Sequence, residues 1–303
     1  MFSPARLPPP VLPGQRVGVA ALSGPVDGGR LDAGLEALRA WGFEPVLAEN
    51  LRWRRGLFAG TDSERLEGFH RLAADSSLTA IFFARGGHGV LRILPEIHWP
   101  TLARHPRAYI GYSDLTPFLL EVVRRLGLVA FHGPMVAADL ARGLDEEETA
   151  SLLDQLAGLY PQRMAVPAWP RAGVVQGPLL GGCLSLLTAT LGTPFAPKLA
   201  GSILFWEDVG EPLYRLDRML THLRLSGNLQ QIAGMLIGQL VWNGEDEPSP
   251  EDWAFFEKDL LQTFSGPLAR GLCCGHGSPN WTLPLGLSAR MDAEVGELIL
   301  GGD

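Results

Sequence analysis

Short β-rich runs alternate with helical stretches through the first half of the chain, which predicts an α/β protein with a doubly wound parallel-sheet N-terminal domain and a smaller, β-rich C-terminal domain. Two further observations agree. The length of 303 residues exceeds the roughly 100 to 200 residues of a usual single core. Between Tyr160 and Pro178 the pattern is broken by Pro161, Pro167 and Pro170, which are hard to place inside a helix or central strand. The expected division is therefore 1–159 for the α/β domain, 160–178 for a linker and 179–303 for the β-rich domain.

Taken in order, Arg16 to Leu22 reads as a buried strand, Arg30 to Trp41 as a helix, Phe43 to Ala48 as a strand and Ser63 to Ala74 as a helix. Leu78 to Ala84 and Arg107 to Tyr112 are apolar, β-prone runs, Leu115 to Leu126 is helical, and Leu128 to Phe131 is a further strand. In such a sheet ligands bind beyond the carboxyl ends of the strands. The second half predicts helices at Leu184 to Leu191, Pro212 to Leu225 and Pro250 to Phe264. Its strands are expected at Ser202 to Trp206 and Ile232 to Val241, with short β-rich pieces including Leu283 to Met291.

Composition narrows the function. With 25 Lys plus Arg against 33 Asp plus Glu, the net charge is −8, which argues against a nucleic-acid partner, since phosphate binding needs a basic surface. Met1 to Pro13 has no apolar run of signal-peptide type, and no segment reaches the roughly 18 uninterrupted apolar residues of a membrane span. Cys183, Cys273 and Cys274 are an odd number with two adjacent, unlike a disulfide framework. A cytoplasmic protein with no membrane partner is expected.

Four segments carry candidate chemistry. In Gly111-Tyr112-Ser113-Asp114 a strand passes directly into a helix, so Ser113 reads either as an exposed nucleophile on a sharp turn or as an ordinary helix N-cap. Arg85-Gly86-Gly87-His88-Gly89 follows the strand ending at Ala84, where glycines let backbone amides approach a ligand or simply make a tight turn. In Trp206-Glu207-Asp208-Val209-Gly210-Glu211-Pro212, Glu211 beside Pro212 suits a helix start, whereas Glu207 at the end of an apolar run has no such structural reason. His276 lies in the turn-rich loop Gly275 to Asn280, the kind of surface loop that often carries function. No metal-ligand spacing is present, and neither metal nor cofactor is called for.

Taken jointly and in this order, these segments resemble the LD-carboxypeptidase family of serine peptidases, which includes the murein tetrapeptide carboxypeptidases. The likeness runs through GVAALSGPVD, GLFAGTDSERLEGFH, FFARGGHG, IGYSDLTPFLL and FHGPM, then GPLLGGCLSLLTATLGTPFAP, LFWEDVGEPLYRLDRML, GNLQQIAGMLIGQL and GHGSPNWTLPLGLSARMD. It implies an active site in a cleft between the two domains, with Ser113 as nucleophile and Glu207 and His276 completing a catalytic triad. The backbone amides of Gly87 and Asp114 would form the oxyanion hole. Arg85 and Gly86 are candidates for substrate binding, Arg85 for the free carboxylate that a carboxypeptidase must hold. The implied substrate is a small peptide: a cytoplasmic muropeptide losing terminal D-alanine from an L,D bond during cell-wall recycling, the reaction of a muramoyltetrapeptide carboxypeptidase. Members are commonly homodimers. Two other readings are a microcin-immunity-type enzyme cleaving peptidyl or aminoacyl nucleotides and a non-catalytic α/β binding protein. His88 and Cys183 stand where the family pattern has tyrosine and often asparagine, which bears on the shape of the substrate pocket.

Overall fold

The computed structural model describes residues 5–301; the outermost positions of the two expected domains, 1–4 and 302–303, lie outside the described residues. In chain order the first half forms β1 (Arg16–Ala20), α1 (Gly28–Ala40), β2 (Glu44–Leu47), α2 (Asp62–Ala74), β3 (Leu78–Phe83), α3 (Val90–Ile93), α4 (Trp99–Arg104), β4 (Ala108–Gly111), α5 (Thr116–Leu126), β5 (Ala130–His132) and α6 (Glu146–Leu156). There follow β6 (Gln162–Ala165), β7 (Ala168–Arg171), β8 (Val174–Cys183), α7 (Leu184–Ala189), β9 (Ile203–Val209), α8 (Leu213–Leu225), β10 (Gly234–Val241), α9 (Pro250–Thr263), β11 (Leu268–Arg270), β12 (Leu283–Leu285), β13 (Ser288–Asp292) and β14 (Glu297–Leu300).

Local signals start the main helices of the first sheet. Asp27 caps α1 by accepting the Arg30 N–H at 2.9 Å, and the buried Leu31, Leu35 and Leu38 recur at helical spacing on one face. Helix α2 opens with a capping box, in which Thr61 and Glu64 each accept the other's backbone N–H, satisfying two donors that the helix itself cannot pair. The six strands lie in the order β12-β5-β4-β3-β1-β2. Those from β1 to β5 are parallel. The chain steps from β1 outward to β2, then back across β1 to β3. Right-handed crossovers in opposite directions put α1 and α2 on opposite faces, and the reversal opens a crevice at the carboxyl ends of β1 and β3. This is the doubly wound fold expected from the alternation. Beneath β3 and β4, Phe118 of α5 meets Phe69, Phe83 and Tyr109 edge-on at centroid distances of 5.4, 5.3 and 5.5 Å, contacts worth roughly 0.5 to 1.5 kcal/mol each beyond their burial. They hold α5 against the strand that leads into Ser113.

The eight remaining strands form a mixed sheet in the order β6-β14-β13-β8-β9-β10-β11-β7. Its parallel centre, β8 to β11, is flanked by antiparallel pairs. Two expectations are corrected here. Residues 160–178 are not a linker: they form β6, β7 and the first half of β8. Pro161 precedes β6, Pro167 lies between β6 and β7, and Pro170 sits in β7, and β6 and β7 are the two edge strands of the sheet, where a missing N–H need not break a ladder. The stretch from residue 179 onward is also not one continuous domain. One compact unit comprises Arg6–Leu159 with Pro279–Leu285, the other Tyr160–Ser278 with the segment from Gly286. The exchange occurs because β12 pairs antiparallel with β5, Leu283 opposite His132. Helix α6 is an element the periodicity reading left out. Among the described residues no helix is long and apolar enough to cross a membrane.

Gly34 of α1 tests how tightly the first unit is packed. A Cβ there would lie 1.9 Å from the Val136 carbonyl oxygen, so Gly34→Ala should destabilise the protein by about 1 to 3 kcal/mol or more through overpacking. Exposed Gly29 in the same helix meets nothing nearer than 3.4 Å. There alanine should be neutral or stabilising by up to about 1 kcal/mol. Paired denaturant titrations check the contrast.

Candidate active site

At the end of β4 the backbone of Tyr112 is extended, and Ser113 then turns to a φ of 62°. Among the described residues Ser113 is the one non-glycine position with positive φ, a conformation that costs on the order of 1 to 3 kcal/mol and persists where its surroundings over-determine it. A single 3-10 turn, Ser113–Leu115, leads into α5, whose N-cap is Leu115, while Tyr112 caps the turn itself. Ser113 occupies neither cap position, which removes the plain N-cap reading. A strained strand-to-helix turn of this kind lifts a hydroxyl clear of the sheet.

The glycine loop lies against this turn. A Cβ on Gly86 would sit 2.8 Å from Ser113 Cβ and 2.9 Å from Ser113 Oγ, so the approach requires glycine. The Gly24 N–H, beyond β1, donates to the Gly86 carbonyl at 3.1 Å, tying together the carboxyl ends of the two strands where the sheet reverses. Asp114 is buried and its Oδ2 accepts the Val90 N–H at 2.9 Å. The exposed Arg85 turns Nη1 to the Pro25 carbonyl at 3.0 Å, and the exposed His88 lies 5.8 Å, ring to ring, from Phe58. Ser113, Asp114, Arg85, Gly86 and Gly87 thus gather in one neighbourhood of the first unit.

Glu207 and His276 meet in the second unit. Strand β9 continues to Val209, so Glu207 lies within it and not at its end, with 0% exposure. Glu207 Oε2 is 2.6 Å from His276 Nδ1. Burial pushes the Glu207 carboxyl up from its ordinary range, and the His276 bond opposes that shift. Gly275 has a φ of 132°, and a Cβ there would stand 2.9 Å from Glu207 Oε2. Only glycine lets the loop pass over the carboxylate in that conformation. The next turn is fixed by Gln239 Oε1, which accepts the Gly277 N–H at 3.0 Å. Cys183 stands opposite Glu207 in the β8–β9 register. Burial, then Glu207 and Asp208, push its thiol well up, so it sits beside the carboxylate as a neutral group. Glu211 pairs with Arg215 at 3.2 Å and precedes Pro212, the N-cap of α8.

One group escaped the sequence reading. Glu148, with 0% exposure, accepts the Asn280 N–H at 2.6 Å and a bond from Arg142, anchoring the segment that follows His276 in the chain. It also completes a capping box with Asp145 at the start of α6, and that D-x-x-E spacing was the readable signal. Among the described residues no group of three or more His, Cys, Asp or Glu could hold a metal ion, and Cys183, Cys273 and Cys274 form no disulfide.

Comparison with known proteins bears on this arrangement. Residues 17–133 match the LD-carboxypeptidase N-terminal domain, and residues 176–291 match the LD-carboxypeptidase C-terminal domain. The chain is 34% identical over 289 residues to a Bacillus subtilis protein named a probable murein peptide carboxypeptidase, covering 92% of this chain and 89% of that one. It is 33% identical over 277 residues to the murein tetrapeptide carboxypeptidase of Pseudomonas aeruginosa, covering 86% and 88%. Its fold is that of a solved microcin C7 self-immunity protein, with a TM-score of 0.90 at 22% identity over 98% of this chain and 99% of the other; an Escherichia coli relative of that name is 24% identical over 320 residues, covering 93% of this chain and 92% of that one. With both domains matched in order along the chain, this protein belongs to the LD-carboxypeptidase family.

Proposed function

We propose that the chain is a serine LD-carboxypeptidase that removes terminal D-alanine from a murein tetrapeptide in the cytoplasm, as a step of cell-wall recycling. The observation that carries this reading is the wholly buried Glu207 carboxylate at 2.6 Å from His276 Nδ1. A carboxylate only accepts, so Nδ1–H donates and Nε2 keeps the lone pair of a general base. In the reaction, Ser113 Oγ attacks the carbonyl of the last peptide bond as His276 takes its proton. The amides of Gly87 and Asp114 hold the tetrahedral oxyanion, and His276 returns the proton to the departing amino group. Water then hydrolyses the acyl-enzyme by the same route in reverse. Arg85, beside the glycine loop, is the candidate for the terminal carboxylate, using the guanidinium nitrogens not turned to Pro25. Two relatives named for murein peptides, at 33 and 34% identity, support the substrate class, and the family's habit supports a homodimer.

Incubation with murein tetrapeptide, murein pentapeptide and a nucleotide-linked peptide, read by product mass, tests the assignment. D-Alanine should leave the tetrapeptide while the D,D bond of the pentapeptide survives; exclusive cleavage of the nucleotide conjugate would instead make this a microcin-immunity-type enzyme. Replacing Ser113 by alanine should reduce kcat by about 10⁶-fold with the fold retained, and retention of a few per cent of turnover would remove it as nucleophile. Glu207→Gln keeps size but loses the anion that orients the imidazole, so kcat should fall by about 10⁴-fold. Glu211→Gln loses only a surface pair with Arg215, worth about 0 to 1 kcal/mol, and should leave kcat nearly unchanged. The reverse pattern in a side-by-side assay would transfer the orienting role to Glu211.

A further inference from the structure

Arg65, on α2, is wholly buried, although arginine almost never is unless it is paired. Its Nη2 meets Asp62 Oδ1 at 2.6 Å. Nη1 donates to two backbone carbonyls, that of Leu22 just beyond β1 and, at 3.1 Å, that of Gly89. The Gly89 carbonyl and the Val90 N–H belong to one peptide group, and the Val90 N–H is the donor that Asp114 Oδ2 accepts at 2.9 Å. One peptide is therefore held at both poles, its oxygen by a cation from α2 and its hydrogen by the carboxylate beside Ser113. Room for this is made by Gly89, with φ at 124°, where a Cβ would come within 2.8 Å of both Arg65 Nη1 and the Phe58 ring. The Phe58 ring is itself covered by Arg65 and Arg92 at 5.0 and 5.2 Å, and Arg92 also binds Asp62 at 2.8 Å.

We infer that Arg65 and the side chain of Asp114 are positioning residues that clamp the Gly89–Val90 peptide and thereby set the spacing between the amides of Gly87 and Asp114. The inference rests on the function proposed above, in which those two amides bind the oxyanion. The clamp is rigid for a physical reason: a peptide dipole with a cation at its oxygen and an anion at its hydrogen is bound by two charge-assisted hydrogen bonds, each stronger than a neutral one. Because Asp114 supplies both an amide and the carboxylate, the glycine loop and the nucleophile turn move as one body. A shift of about 1 Å between such donors costs about 10²-fold in rate.

The test uses Asp114→Ala, Asp114→Asn, Arg65→Gln and the double variant Arg65→Gln/Asp114→Ala, with kcat and KM on murein tetrapeptide and amide hydrogen exchange over residues 86–90. Asp114→Ala and Arg65→Gln should each lower kcat by about 10²-fold with KM changed little, and should speed exchange of the loop amides. Asp114→Asn, whose side-chain oxygen can still accept from Val90, should recover most of both. Since both residues act on one peptide, the double variant should lose scarcely more than either single one. Losses that multiply, an asparagine variant no better than alanine, or exchange as slow as in wild type would overturn the clamp. If Arg65→Gln does not fold, the contrast between asparagine and alanine at position 114 carries the test. Wild-type protein inactive on the tetrapeptide overturns the proposed substrate, whereas exchange still reads the clamp.

Discussion

A carboxylate removed from water must be met by a partner, and the second unit is organised around that requirement at Glu207. Leaving such an ion unpaired costs several kcal/mol, and removing one member of a buried pair costs about 3 to 5 kcal/mol. Here the partner is His276 Nδ1 at 2.6 Å. For the imidazole to reach a side chain inside β9, the preceding residue must pass directly over the carboxylate, which demands glycine at position 275. The turn that follows is pinned by Gln239 from the adjacent strand β10, and beyond it the chain is secured in the first unit by Glu148 at Asn280. The imidazole is thus oriented by the buried carboxylate it meets, and the loop that carries it is held by the hydrogen bond at the next residue, Gly277.

The first unit is organised around a strained turn at Ser113 packed against a glycine loop. The path of the chain across its sheet reverses at the parallel neighbours β1 and β3, which brings Gly24 and Gly86 together and sets the glycine loop against the turn at Ser113. Strain is concentrated at one residue, Ser113, with φ at 62°. What offsets it is a well-packed setting: an aromatic cluster fixes α5 behind the turn, and the Asp114 carboxylate binds the loop in front. In the mechanism proposed above, these two constructions serve one reaction.

Much of the architecture could be read from local pattern, because buried parallel strands and amphipathic helices leave periodic signatures. The strands from β1 to β5 and the helices α1, α2 and α5 appear where apolar runs and caps place them. The edge strands β6 and β7 were invisible for an equally physical reason. Proline argues against a strand only where its missing N–H would interrupt a ladder, and whether a strand lies at an edge is decided by tertiary pairing. The same holds for β12, three residues whose pairing with β5 has no local sign and divides the second half of the chain between the two units.

For the site, the sequence by itself determined which side chains are available: a serine at a strand-to-helix junction, glycines after a strand, a glutamate without a capping role and a histidine in a turn-rich loop. Residue type and neighbours suffice for that, since chemistry is local. Tertiary structure alone decided that Ser113 is strained and not a cap, that Glu207 lies inside a strand with no exposure, and that His276 is the histidine brought to it. It also decided that Arg65, Asp114 and Glu148 bind backbone groups far away in sequence. Hydrogen bonds between residues tens to more than a hundred positions apart leave no periodic trace in the chain, because they depend on where the folded backbone returns and not on the order of residues along it.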